Sequence, residues 1–384
     1  MMADPIDDAI ALAQQAAFQA VPAGSAKVVP MRASLSGVPS GPVCVTAESF
    51  LADTEAPAWV IEGLLQTNYV YALTAPTNHG KTAVSLVMAL AVAAGKPFAG
   101  MEVGKGNALI LCGENQDGFR LRMRATMDSL GITMADIKNS VFVLPKAGSL
   151  LLLLEQIKKD AEAMGNLSLV LVDTSVAFFS GDNENDNNQA YTHAAALREL
   201  SLLPGKPAVL VNCHPASGAA KDMTRDSCVP RGGSAFLNEI DTNLMVWSDG
   251  ALAELHWMRK KRGPDFTPIS FEYKPVNVMH QGVECQTIVA EHVDEDRVRY
   301  IRTKHRELDA RVLWVLYNNP NGTFRDWCHD SGLVIRSGKK AGEAHLSGIT
   351  RILERLKKYK LAEHTDRDGW ILTAKGKEEA KDIR

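Results

Sequence analysis

The chain has 384 residues, which is enough for one large domain and a small one. Hydrophobic residues make up 46% and charged residues 23% of the sequence, as in ordinary globular proteins. The net charge of −3 excludes a polycation, so nucleic-acid binding would need local basic patches. Six cysteines without a C-x-x-C pair favour reduced thiols over a disulfide framework or a zinc site.

Residues 1–50 are rich in Ala, Pro, Ser and Gly and contain one short amphipathic stretch, Asp8–Gln19. We expect a flexible arm with a single short helix there. Met1–Ala20 lacks the basic start of a signal peptide, and apolar runs such as Val84–Ala94 are too short to span a bilayer. These features predict a cytoplasmic protein with no membrane attachment.

The turn T-A-P-T-N-H-G-K-T lies between an apolar strand, Tyr69–Leu73, and an apolar helix that runs from Lys81 to Gly95. Gly-Lys-Thr at the start of a helix, directly after a buried strand, is typical of a phosphate-binding P-loop. Backbone N–H groups and the helix dipole attract anions there, while Lys81 would contact phosphate and the Thr82 hydroxyl would bind Mg²⁺. The pattern predicts ATP and Mg²⁺ as cofactors. The predicted nucleotide-binding residues are Ala75, Pro76, Thr77, Asn78, His79, Gly80, Lys81 and Thr82.

This turn departs from the pattern G-x-x-x-x-G-K-[ST] at its first position, where Ala75 replaces glycine. The first glycine relieves crowding where the loop leaves the strand, and alanine is the smallest replacement. The alternative interpretation is a glycine-capped helix that carries Lys-Thr by chance. Polar residues at the ends of further predicted strands help to decide between the P-loop and the glycine-capped helix.

Three more strands on the carboxyl side of the P-loop end in polar side chains. They are predicted at Asn107–Asn115, Leu167–Thr174 and Ala208–His214, alternating with helices. Continuous apolar strands alternating with helices predict an α/β fold with a mostly parallel sheet covered on both faces. Ligands of such sheets bind outside the carboxyl ends of the strands. The candidate functional residues at those ends are Lys81, Glu114, Asp173 and His214.

Each of these residues also has a structural alternative. Asp173 is placed to hold Mg²⁺ as a Walker B carboxylate, or it is a turn-forming aspartate. Glu114 is placed to orient the attacking water and accept its proton, or it pairs with Arg120 or Arg122. His214 is either a sensor of the γ-phosphate or a structural histidine.

Two loops near these strand ends also contain charged residues. The run Gly181–Asn188 resembles a calcium loop superficially, but it lacks the glycine and the glutamate that such a loop requires. We therefore expect a solvated loop beside the nucleotide. Pro215–Pro230 is rich in small residues and is expected to be mobile, facing the central channel of a ring, and Arg231 follows it.

The strand pattern changes after residue 240. Strands at Thr242–Trp247, Leu252–Met258 and Ile269–Tyr273 are expected to be antiparallel. Between the last two, the turn Trp257–Pro264 carries the cations Arg259, Lys260, Lys261 and Arg262. This turn is either a solvated basic turn or the site of an arginine finger that enters the ATP site of a neighbouring subunit.

The motifs TAPTNHGKT, LILCGEN, LVLVDTS, VLVNCH, RGGSAF and MRKKRGP together resemble RecA-fold ATPases of the RepA type, relatives of the DnaB-like hexameric helicases. The resemblance covers about Pro57 to Tyr273. It implies a RecA-like P-loop fold in which Lys81 and Thr82 bind phosphate and Mg²⁺. It also implies Glu114 as the catalytic carboxylate, Asp173 as the Walker B residue and His214 as the sensor.

The resemblance also implies that the ATP site lies between subunits of a ring, with a hexamer expected. Lys261 and Arg262 match the lysine and arginine that reach across the subunit interface in this family. The arginine finger itself remains open among Arg231, Arg259 and Arg262. Single-stranded DNA is the expected partner in the channel of such a ring.

Residues 305–384 are interpreted as a winged-helix domain. A helix at Leu308–Tyr317, a helix capped by Thr323 and a recognition helix at His345–Lys358 precede a hairpin with an Asp-Gly turn. The apolar residues of the recognition helix repeat at helical spacing and are expected to face inward: Leu346, Ile349, Leu353 and Leu356. Several of the cations on this helix and just after it are then expected to face solvent: Arg351, Arg355, Lys357, Lys358 and Lys360. Winged helices bind DNA, duplex DNA included, or dock proteins, and both alternatives stay open. The predicted organisation is an arm at 1–50, an ATPase domain at 51–275, a linker without a fold prediction at 276–304, and the winged helix at 305–384.

The motifs and the resemblance together predict a ring-forming, DNA-dependent ATPase, and the resemblance alone implies that it is a replicative DNA helicase of a phage or plasmid. One alternative is a recombination or repair ATPase of the same fold that binds DNA without unwinding it. The other is a regulatory DNA-binding protein that uses ATP as a switch.

Overall fold

A computed structural model describes residues 44, 46–52, 58–216, 224–250, 252–258, 266–335, 340–365, 369–381 and 383. The chain divides into two compact units, Met1–Ala56 and Pro57–Arg384. The helix α1, Ala47–Ala52, is the described element of the first unit, and none of its residues is buried. The stretch Asp8–Gln19, predicted to be helical, lies outside the described residues.

The second unit begins with a large α/β region. Its strands are β1 Trp59–Ile61, β2 Leu65–Gln66, β3 Val70–Thr74, β4 Asn107–Cys112, β5 Val141–Leu144, β6 Leu167–Asp173, β7 Ala208–Cys213, β8 Thr242–Asp249, β9 Leu252–Trp257, β10 Ile269–His280 and β11 Val283–His292. Its helices are α2 Lys81–Ala94, α3 Gln116–Leu130, α4 Met134–Ile137, α5 Leu150–Met164, α6 Asn187–Leu200 and α7 Gly233–Glu239.

Nine of these strands form one sheet in the order β11-β10-β9-β8-β3-β7-β6-β4-β5. Strands β8, β3, β7, β6, β4 and β5 pair in parallel, whereas β8, β9, β10 and β11 follow one another as antiparallel neighbours. The prediction of a mostly parallel α/β sheet that continues into antiparallel strands is therefore confirmed. This is the sheet of a RecA-like P-loop domain.

Helices cover both faces of the sheet. On one face, α2 buries an almost continuous run of apolar side chains, as expected of a helix that is apolar all round. On the other face, α5 and α6 pack their apolar sides against the same strands. Because both faces are covered, functional groups reach solvent at the ends of the strands.

Residues 276–304, which the sequence left without a fold prediction, belong to the sheet and to a helix. Strands β10 and β11 form a hairpin whose turn residues, Gln281 and Gly282, have φ values of 49° and 79°. Positive φ at both central residues suits the right-handed twist of a hairpin. Alternating apolar residues around Gly282 signalled this hairpin, but the sequence analysis did not use them.

The helix α8, Glu295–Asn318, starts well before the predicted Leu308. Its N-cap is Asp294, whose carboxylate accepts a hydrogen bond from Arg297 N at 2.8 Å. Val298 and Ile301 are buried against Leu252 of β9. The predicted domain boundary at residue 305 therefore falls inside a continuous helix.

An ion-pair cluster also joins α8 to the sheet. Glu254 on β9 lies 2.7 Å from Arg302 of α8 and 3.0 Å from Arg225 of the β7–α7 connection. A hydrogen bond from His256, and then these arginines, lower the pKa of Glu254 to about 2. Of the predicted mobile stretch Pro215–Pro230, residue Arg225 is thus held by the sheet, while residues 217–223 lie outside the described chain.

The second half of α8 packs with the remaining C-terminal elements. These are α9 Phe324–Asp330, α10 Leu346–Lys358, β12 Ala362–Thr365, β13 Gly369–Leu372 and α11 Ala374–Lys381. Thr323 caps α9 as predicted, accepting a hydrogen bond from Asp326 N. The predicted C-terminal hairpin is confirmed, since β12 and β13 pair antiparallel, although the turn residues 366–368 are not described.

One prediction about the helix α10 was wrong. Leu346, expected to face the core, is 42% exposed, and Ile352 is buried instead together with Ile349. Arg355, one of five cations of which several were expected to face solvent, forms an ion pair with Asp309 of α8 and is largely buried. Leu346 is the first residue of the helix and therefore lies at its exposed end. Asp309, the partner of Arg355, belongs to a different helix, so the spacing of residues within α10 could not reveal the pair.

None of the described helices combines the length and the apolar character that a membrane crossing requires.

Candidate active site at the carboxyl ends of the strands

The P-loop connects β3 to α2 through a turn with two left-handed residues. Asn78 has φ of 66° and Gly80 has φ of 81°, a region that glycine enters without steric cost. Gly80 is also the N-cap of α2. Thr77 and Asn78 are exposed, so the loop is open to solvent at the start of a helix, where anions bind.

Ala75 fits the position that the pattern gives to glycine. It is fully buried in the core, and its N–H donates to the carbonyl of Cys213 at 3.3 Å. The loop therefore leaves β3 while bonded to the end of β7, with the alanine methyl group inside the core.

The Lys81 side chain extends back to the start of the loop. Its Nζ donates to the carbonyl of Ala75 at 3.3 Å and lies 3.5 Å from His214 Nδ1. Burial lowers the pKa of Lys81, and the negative charges of Asp173 and Glu114 oppose that shift. The amine thus lies among groups that stabilise its charged form.

Asp173 ends β6 and is 1% exposed. Its Oδ1 accepts hydrogen bonds from Asn212 Nδ2 at 2.8 Å and from Thr82 Oγ1 at 3.2 Å. Burial raises the pKa of this carboxyl, and the two hydrogen bonds oppose the rise. A buried carboxylate that contacts the first hydroxyl of α2 is not a simple turn aspartate.

Asn212 is a site residue that the sequence analysis missed. It is fully buried, and its amide also donates to Ser85 Oγ at 2.9 Å. The signal for it was a single amide in the apolar strand Ala208–Cys213. Because a buried amide needs hydrogen-bond partners, its presence pointed to polar neighbours inside the core.

Glu114 follows β4 and is exposed. It accepts a hydrogen bond from Thr174 Oγ1 at 3.4 Å, next to Asp173. Of its two alternative structural partners, Arg120 and Arg122, the first instead contacts Asp117 at 2.7 Å. The Glu114 carboxylate is therefore accessible beside the buried Asp173.

His214 follows β7, between the P-loop and the loop Gly181–Asn188. Burial, and then the charge of Lys81, lower the pKa of His214, so the ring is neutral near pH 7. Its carbonyl accepts a hydrogen bond from Arg231 N at 2.8 Å. The Arg231 guanidinium in turn contacts Glu184 at 2.9 Å, which fastens the Gly181–Asn188 loop next to the site.

The predicted residues at four strand ends come together because their strands are adjacent. In the sheet, β3, β7, β6 and β4 are consecutive neighbours. The side chains that follow or end them, in the same order, are Lys81, His214, Asp173 and Glu114. Lys261 and Arg262, like Arg259, lie outside the described residues.

The donor set fits Mg²⁺ bound together with phosphate. Hydroxyl and carboxylate oxygens are hard ligands, and Mg²⁺ bound with ATP takes few protein groups and keeps waters and phosphate oxygens. Thr82 and Asp173 supply such a pair 3.2 Å apart. Within the described ranges there is no group of three or more His, Cys, Asp or Glu side chains placed to hold a metal.

A family model described as an AAA domain, AAA_25, matches residues 37–220. The match includes the P-loop, Glu114, Asp173 and His214, and it ends before β8 and the C-terminal elements. This part of the chain is therefore similar to a P-loop ATPase domain of the AAA type. No curated protein matches the chain.

Proposed function

We propose that the chain is a Mg²⁺-dependent, DNA-dependent ATPase that forms a ring and acts as a replicative helicase of the phage or plasmid type. The observation that carries the proposal is the convergence of Lys81, His214, Asp173 and Glu114 at four consecutive strand ends. Catalysis of phosphoryl transfer consists mainly of positioning and charge stabilisation. The four side chains supply a cation, a neutral imidazole and two carboxylates at one edge of the sheet.

Each side chain has a separate task in this proposal. Lys81 and the loop amides hold the phosphates, while Thr82 and Asp173 hold Mg²⁺, which supplies charge neutralisation when bound. Asn212 keeps the Asp173 carboxylate in place through its hydrogen bond. Glu114, exposed and next to Thr174, orients the water and accepts its proton. His214 contacts Lys81 and senses the phosphate that the lysine binds.

The ring completes this site with a cation from a neighbouring subunit. In the proposal, Lys261 and Arg262 approach the γ-phosphate of the adjacent protomer, where a guanidinium stabilises the developing charge. The strand that precedes them in the sequence, β9, lies in the antiparallel part of the sheet.

We expect Arg262→Ala to bind ATP and to hydrolyse it about a thousandfold more slowly or worse, as for removal of an arginine finger. Mixing it with Lys81→Ala should restore partial activity, because some interfaces then combine an intact P-loop with an intact Arg262. Hydrolysis is measured across mixing ratios. Absence of rescue at every ratio, together with a monomeric protein in the presence of nucleotide, would refute the finger.

The C-terminal elements α8 to α11 are proposed to act as a winged helix on duplex DNA. Three exposed lysines, Lys357, Lys358 and Lys360, end α10 and precede β12. Arg351 is exposed on the same helix, whereas Arg355 is neutralised by Asp309. Removing residues 305–384 would cut α8, so point substitutions give the cleaner test.

We expect the triple variant K357A/K358A/K360A to bind duplex DNA more weakly, with the salt slope reduced by about 0.9 for each phosphate that the variant no longer neutralises. The matched control is K138A/K146A/K159A, which removes three exposed lysines from the ATPase domain. Both are measured by duplex titration at several salt concentrations. Equal affinities and slopes for the C-terminal variant and the wild type would indicate a protein-docking module.

Unwinding separates the helicase from its two alternatives. A helicase displaces one strand of a forked duplex with a fixed polarity while it hydrolyses ATP. A recombination ATPase or an ATP-switched regulator binds the same fork and leaves it paired. Strand displacement, measured as the release of a labelled strand, therefore separates the helicase from both alternatives.

A further inference from the structure

A tyrosine from the antiparallel part of the sheet contacts the P-loop. Tyr273 on β10 donates its hydroxyl to the carbonyl of His79 at 2.6 Å. Its ring also lies against the next residue, since a Cβ placed on Gly80 would be 2.0 Å from the Tyr273 hydroxyl oxygen. Strand β10 is three strands away from β3 in the sheet order, so this side chain extends across the end of the sheet to reach the loop.

The His79 side chain is held from the same side. Its Nδ1 accepts a hydrogen bond from Ser248 N at 2.9 Å, and its ring meets the Trp247 ring edge-on at 5.1 Å. Because Nδ1 is the acceptor, the neutral ring carries its proton on Nε2. His79 is therefore held at two points: its side chain accepts a hydrogen bond from β8, and its carbonyl accepts one from Tyr273 of β10.

Fixing the carbonyl of His79 also fixes an N–H group. The peptide bond is planar and trans, so the C=O of His79 and the N–H of Gly80 point in opposite directions. With the carbonyl directed at Tyr273, the Gly80 N–H is directed away from β10. In a P-loop, the backbone N–H groups of this turn cradle the phosphates, and their direction decides how well the loop binds.

We propose that Tyr273 is a positioning residue for nucleotide binding, whose hydroxyl sets the orientation of the His79–Gly80 peptide. The inference rests on the proposed ATPase function and deepens it. Tyr273 touches neither phosphate nor metal in this account and acts through the loop. It also links ATP binding to the antiparallel strands, which the family match does not include.

The test compares a partly buried tyrosine, Tyr273, with a fully buried one, Tyr71, and removes the same atom from each. Tyr273→Phe removes the hydroxyl bound to His79. Tyr71→Phe is the matched control, because the Tyr71 hydroxyl accepts a hydrogen bond from Gln66 N at 2.8 Å and does not contact the loop. Burial raises the pKa of both tyrosines, so the two changes remove comparable buried hydroxyls.

The measurements are the Kd of a fluorescent ATP analogue with Mg²⁺, the steady-state KM and kcat, and the Tm of each variant. We expect Tyr273→Phe to weaken analogue binding and to raise KM by about three- to tenfold, as for the removal of one hydrogen bond, with kcat changed less than about twofold. Tyr71→Phe should lower Tm to a similar extent and leave Kd and KM unchanged.

Two results would overturn the inference. One is an unchanged Kd and KM in Tyr273→Phe. The other is an equal loss of affinity in Tyr71→Phe, which would make the effect one of general stability. Failure of the wild type to bind the analogue is a distinct outcome, because it would refute the ATPase function itself and the positioning role with it.

Discussion

Lys81→Ala is expected to reduce ATP turnover by about a hundred- to a thousandfold, the range found when one preorganised charge-stabilising group is removed. The amine lies within reach of the Ala75 carbonyl and His214 and is 7% exposed. The methyl group that replaces it cannot contact phosphate. The fold should persist, since the apolar face of α2 is unchanged.

The matched control is Lys96→Ala, two residues past the other end of the same helix. Lys96 donates to the carbonyls of Leu130 and Gly131 at 2.7 and 2.8 Å and so closes the end of α3. Its replacement should lower Tm and leave turnover largely intact. Normal turnover by a folded Lys81→Ala protein would instead refute the P-loop, and the measurement is phosphate release at saturating ATP with the Tm of each variant.

Glu114→Gln is expected to retain Mg²⁺-dependent ATP binding and to lose hydrolysis by about a hundred- to ten-thousandfold, the contribution typical of a general base. The amide keeps the size of the side chain and cannot accept a proton. Asp117→Asn is the control, because that carboxylate is exposed and pairs with Arg120 on the surface, where such pairs contribute little. Single-turnover hydrolysis and analogue binding separate the two steps.

Asp173→Asn should differ from Glu114→Gln in the step that it affects. Asp173 is buried and contacts Thr82 and Asn212, so its amide substitute weakens Mg²⁺ binding and nucleotide binding together. A titration of Mg²⁺ at fixed ATP analogue measures this. Should Glu114→Gln hydrolyse ATP like the wild type, a different carboxylate would have to orient the water.

The strand ends were predictable because parallel strands carry a local signal. Each of β3, β4, β6 and β7 is a mainly apolar run that ends in, or is closely followed by, a polar side chain, and the carboxyl ends of such strands share an edge. Lys81, Glu114, Asp173 and His214 could therefore be placed together without knowledge of the strand order. Their proximity depends on topology rather than on side-chain detail.

The contacts that hold the site were not predictable in the same way. Tyr273 reaches His79 across 194 positions of sequence, and the Arg355–Asp309 pair joins two helices. Such contacts depend on how helices and strands pack against one another, and the periodic pattern within one helix or strand carries no information about that packing. Leu346 shows the same limit, because apolar spacing placed it inward and the start of the helix left it exposed.

The most direct test of the proposed function is the rate of ATP hydrolysis by the full chain as single-stranded DNA is added. We expect the rate to rise with DNA and to saturate, and we expect Lys81→Ala to remove both the basal and the stimulated rates. An ATPase rate that stays the same at every DNA concentration, for a wild-type protein that binds and hydrolyses ATP, would contradict a DNA-dependent motor.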